Sequence, residues 1–90
     1  MNFQEYNELA EDEYLRFERI LESERLSSYR DVCGFMYLVQ IIDGLVIAGA
    51  EHDVIYLNGD PETFTKDQAI YLSRCGIRFS EEYDSLIMFT

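Results

Sequence analysis

The chain has 90 residues, enough for one domain spanning 1–90 with a small core. Its hydrophobic fraction of 48% and thirteen Tyr and Phe residues (7 + 6) exclude a disordered chain. Eighteen acids against seven bases give a net charge of −11. That excludes direct binding of nucleic-acid phosphates, which needs clustered Lys and Arg.

The charge is uneven along the chain. Glu5, Glu8, Glu11, Asp12 and Glu13 precede the first base, Arg16. A surface of this sign attracts a basic protein and is repelled by an anionic membrane. The first residues are acidic and polar, unlike the basic and apolar start of a secretory signal, so a cytoplasmic location is expected. Cys33 and Cys75 have no paired spacing and are expected as free, buried thiols.

Residues 4–26 read as one amphipathic helix. Tyr6, Leu9, Ala10, Tyr14, Phe17, Ile20 and Leu21 form a stripe at 100° per residue. Glu8, Glu11, Glu18 and Glu22 fall on the opposite face, and the spacing allows pairs between Asp12 and Arg16 and between Glu22 and Arg25. Ser27-Ser28 breaks the pattern, and Ser28 with Asp31 resembles a helix start.

From Val32 to Ala50 the only charge is Asp43. A membrane span would have to carry Asp43 mid-run, at a cost of roughly 2.5–3.5 kcal/mol. A hairpin turning at Asp43-Gly44 is a second reading. The favoured reading is a helix over 29–50, bent or broken at Asp43-Gly44, because Val32, Phe35, Met36, Val39, Ile42 and Val46 recur at helical spacing. Such a helix is apolar nearly all round and calls for burial on most faces.

Residues 53–58 read as a strand and Asn58-Gly59-Asp60-Pro61 as a turn. Thr65 and Gln68 form a capping box for a helix over 66–75, with Gly76 as its stop. Residues 77–80 and 85–89 read as two strands joined by Glu81-Glu82-Tyr83-Asp84. The expected fold class is α+β: two N-terminal helices followed by a small, mainly antiparallel sheet with one additional short helix.

Three groups of residues invite a functional reading. Glu51-His52-Asp53 holds the only histidine and would be the centre of a metal-dependent enzyme. Adjacent side chains diverge in a strand and do not face each other in a helix, and one His is a poor ligand supply for zinc. The preferred reading is a helix-to-strand corner, with no metal, no cofactor and no catalytic residue. The second group is acidic: Glu8, Glu11, Glu18 and Glu22 as one patch, and Glu81, Glu82 and Asp84 as another. On one helix, Glu8 to Glu22 would span about 21 Å, a partial imitation of a row of DNA phosphates. The third group is the tyrosines, of which Tyr29, Tyr37, Tyr71 and Tyr83 are candidates for an interface.

The segments AEHDVIYL, LSRCGIRF and EEYDSLIMF, within residues 50–89, resemble small uncharacterised acidic proteins of phages and prophages. The resemblance implies a small accessory protein, and some proteins of that class block host enzymes by binding them. The leading expectation is therefore a non-enzymatic interaction module, an inhibitor that binds a basic site on a host nucleic-acid-handling protein. The alternative is a homo-oligomeric domain, a homodimer through the middle helix, whose acids serve only solubility.

Overall fold

The computed structural model describes residues 1–45, 47–51 and 53–89, with 48 and 51 described by backbone alone. Helix α1 (Phe3–Glu13) starts at a capping box. The Asn2 side chain accepts from the Glu5 N–H at 2.8 Å, and Glu5 accepts from the Asn2 N–H at 3.1 Å. Tyr6 and Ala10 are buried one turn apart.

The expected helix over 4–26 ends at Glu13. Leu15 adopts a left-handed φ of 63°, and its N–H donates to the Ser73 carbonyl at 3.1 Å. Two 3₁₀ turns follow, Phe17–Arg19 and Glu22–Glu24. The physical cause is tertiary. Glu13 accepts from Arg19 Nη1 at 2.9 Å and from Arg74 Nε at 2.5 Å, folding the chain back on itself. The expected Asp12–Arg16 and Glu22–Arg25 pairs are not among the ion pairs of the described residues. Arg25 instead lies 4.6 Å over the Phe17 ring and donates to the Ile20 carbonyl.

Helix α2 (Arg30–Ile41) is also shorter than its pattern suggested. It stops at Ile42, and Gly44 takes a φ of +75° that suits glycine. Strand β1 (Ile47–Glu51) follows where helix was expected. It pairs antiparallel with β2 (Val54–Leu57), Glu51 opposite Val54. Asp43-Gly44 thus ends a helix and is not a hairpin tip. Ala48-Gly49-Ala50 is poor strand material by propensity, yet the ladder to β2 overrides it.

Asp60 caps a 3₁₀ turn at Pro61–Thr63 by accepting from the Glu62 N–H. Helix α3 (Lys66–Arg74) begins at the Thr65–Gln68 capping box, and Gly76 follows its end with a φ of +87°. Strands β3 (Ile77–Ser80) and β4 (Ser85–Phe89) fall where the sequence places them.

The four strands form an antiparallel sheet in the order β1-β2-β4-β3. The fold is α+β, with β1 and β2 lying before α3 in the chain. Registers Leu57 opposite Leu86 and Ile77 opposite Met88 put these four side chains on one face. There they meet Tyr6 of α1, Leu38 of α2, and Ala69 and Leu72 of α3 in a single core cluster. A second small cluster joins Ile20, Cys33 and Cys75, and both cysteines are free and buried as expected. No described helix is long and apolar enough to cross a membrane.

Candidate functional site

The acids expected to act together are divided by the fold. Glu8 and Glu11 stay on α1, exposed and three residues apart, because Tyr6 and Ala10 turn the opposite face into the core. Glu18 lies in the first 3₁₀ turn and Glu22 in the second. All four are exposed, but no single helix carries them, so the row of carboxylates along one helix is not formed.

Four of the seven bases are turned to structural use. Arg19 and Arg74 both bind Glu13. Burial works against ionisation of Glu13, but the guanidinium of Arg74, helped by that of Arg19, outweighs it and holds the carboxyl below the usual glutamate range. Arg78 lies 4.9 Å over the Tyr14 ring, and Arg25 is spent on Phe17. Both ion pairs of the described residues use Glu13, so Glu8, Glu11, Glu18, Glu22, Glu81, Glu82 and Asp84 have none.

The C-terminal acidic patch has a more definite shape. Glu81 and Asp84 line a cleft of about 350 Å³ together with Asp60 and Glu62. Phe3, Pro61 and Phe79 are also in its lining, and the Phe3 and Phe79 rings stand 5.9 Å apart. Three elements build it: the start of α1, the Pro61–Thr63 turn, and the β3–β4 connection, where Asp84 adopts a left-handed φ of 48°. Glu82 is exposed beside the cleft without lining it. Four carboxylates around an aromatic wall suit a cationic side chain, which gains from charge and from the ring faces. Sequence reasoning missed Asp60 and Glu62. The only signal was the acid flanking Pro61 on each side, in a stretch read solely as a turn.

Of the Glu51-His52-Asp53 group, His52 lies outside the described residues and Glu51 is described by backbone alone. Glu51 and Asp53 stand where β1 connects to β2, so the expected helix-to-strand corner is instead the end of a strand pair. Among the described residues no three His, Cys, Asp or Glu side chains converge to hold a metal. Burial, with Cys33 alongside, pushes the Cys75 thiol well up, which disfavours the nucleophilic thiolate. Of the tyrosines, Tyr37 stacks on Tyr71 at 4.0 Å, whereas Tyr29 and Tyr83 are exposed.

The chain matches no protein-family model, no curated protein and no solved structure.

Proposed function

We propose that this protein is a non-enzymatic interaction module of phage or prophage type that presents acidic surface to a basic partner. The partner class is a host protein that handles nucleic acid, and the consequence of binding is inhibition. One observation carries the reading: four of the chain's six arginines are engaged by partners within the fold, while the acids of the two patches are exposed and outside the ion pairs of the described residues. Arg19 and Arg74 are held by Glu13, and Arg25 and Arg78 by aromatic rings. The cleft lined by Asp60, Glu62, Glu81 and Asp84 is the part best shaped to receive a protruding lysine or arginine. Glu8 and Glu11 on α1, with Glu18 and Glu22 beyond it, extend the negative field that steers such a partner.

The test is capture from a host lysate at about 50 mM and about 500 mM salt, compared with a variant carrying Glu62→Gln, Glu81→Gln and Asp84→Gln. The expected result is a nucleic-acid-handling protein retained at low salt, lost at high salt, and reduced by the triple variant. Retention that ignores both salt and the variant would overturn the electrostatic account.

A further inference from the structure

A groove of about 760 Å³ runs beside α3 and shares no lining residue with the acidic cleft. Its apolar lining is a stacked pair, Tyr37 of α2 on Tyr71 of α3 with ring centroids 4.0 Å apart, joined by Ile70, Leu21 and Leu26. Its charged residues sort to opposite ends. Arg74 Nη1 donates to the Arg19 carbonyl at 3.4 Å and Tyr71 Oη to the Glu24 carbonyl at 2.8 Å, so the segment over 19–24 runs antiparallel to α3. Arg19 and Arg74 therefore share the end at the α3 C-terminus. Asp67 lies seven residues back along α3, about 10 Å along its axis, and Glu24 is displaced from Arg19 in the same direction. Burial, and then the charge of Asp67, raise the pKa of Tyr37, which sets Asp67 beside that ring. The basic end is not neutralised. Arg19 and Arg74 share the single carboxylate of Glu13, which leaves one positive charge over. Among the described residues, Arg19 Nε and Nη2 and Arg74 Nη2 make no hydrogen bond.

We propose that this groove binds a short apolar peptide with free ends, its carboxylate at Arg19 and Arg74 and its ammonium at Asp67 and Glu24. Three observations select that ligand. First, the basic end holds one positive charge in excess, which a terminal carboxylate matches and a phosphate dianion would exceed. Second, a simple apolar anion would leave Asp67 and Glu24 beside an uncharged tail and would be repelled by the net charge of −11. A zwitterion carries no net charge and finds its opposite at both ends. Third, the length fits. About 10 Å between the charged ends corresponds to about three extended residues at roughly 3.3–3.6 Å each. The volume falls within the roughly 300–1,000 Å³ of ligand pockets, and apolar side chains of the peptide gain from the tyrosine rings and Ile70. The inference does not depend on the acidic-surface reading, which uses other residues.

Calorimetric titration of the full chain with the tripeptide Leu-Phe-Leu, beside its N-acetyl and C-amide forms, tests this. The free tripeptide should bind with a dissociation constant on the order of 100 µM. N-acetylation and C-amidation should each weaken binding at least about fivefold. Asp67→Asn, at an exposed position, should weaken the free tripeptide at least about threefold and leave the affinity of the N-acetyl form unchanged. Arg19→Gln, also at an exposed position, should weaken the free tripeptide to a similar extent and leave the C-amide form unchanged. A variant that merely damages the fold would weaken all three peptides alike. Absence of binding up to about 5 mM of the free tripeptide overturns the inference. So does an N-acetyl form that binds as well as the free one, which marks a plain anion site. A C-amide form that binds as well also overturns it, because that is the general attraction of a cation to acidic surface.

Discussion

The hydroxyl of Tyr6 donates a 2.7 Å hydrogen bond to the backbone carbonyl of Ile77, joining α1 to the outer edge of β3 across 71 positions of sequence. Asn7 donates to the Phe79 carbonyl two residues further along the same edge. An edge strand whose carbonyls are taken by side chains cannot template another strand, so α1 closes one side of the sheet. Tyr6 is fully buried, and removing its hydroxyl would leave the Ile77 carbonyl without that partner. Tyr6→Phe is expected to cost about 1–3 kcal/mol in urea unfolding, with little change in the slope of the transition.

Glu13 is the node that ends α1 and ties it to α3. Its carboxyl is held below the usual range by Arg74 and Arg19 against the opposing effect of burial. A depressed carboxylate contributes stability that is present above its unfolded value, about 4.3, and lost as pH falls through its lower folded value. Glu13→Gln should therefore be less stable than the parent at pH 7, by about 1 kcal/mol, and the difference should shrink below about pH 4. Thermal melts of both proteins across pH 3 to 7 measure this. A difference that stays constant with pH would show that shape, not charge, is what Glu13 supplies.

Gly34 marks where α2 passes over the end of α3. A Cβ there would stand 2.8 Å from Cys75 Cβ and 2.9 Å from Ile77 Cδ1. The first of these atoms is a side-chain stem and cannot swing aside. Gly34→Ala is expected to destabilise by about 1–3 kcal/mol despite the better helix propensity of alanine. A gain in stability on calorimetry would mean that the two helices part easily at this point.

Cys33 and Cys75 are both fully buried beside Ile20. A thiol reagent should find neither in the native protein over minutes and both in denaturant. Rapid native labelling of both would place the segment over 17–26, which carries Ile20, among the readily opening parts of the molecule.

The elements that local chemistry controls were legible in the sequence. The Thr65–Gln68 capping box, the glycine after α3 and the β3–β4 pair lie where their residues put them, because each is settled by neighbours within a few positions. The acidic balance was equally plain, since charge is a property of composition. The cleft was only half legible: Glu81 and Asp84 stood out, but Asp60 and Glu62 reach it through a turn that nothing in the sequence aims at them.

What the tertiary structure decided is where periodic patterns stop. The helical stripe from Tyr6 to Leu21 continues past Glu13, yet the hydrogen bond from Leu15 to Ser73 and the Arg74–Glu13 pair turn the chain away. The apolar run after Val32 is compatible with a longer helix, yet the ladder to β2 takes its second half. Apolar periodicity records that a residue needs burial and carries no record of its partner. Partners 58 and 61 positions away, Ser73 for Leu15 and Arg74 for Glu13, end the first helix and split the glutamates of that segment among three elements, whereas the second segment is cut short by a ladder to a strand whose partners lie only 3 to 10 positions on.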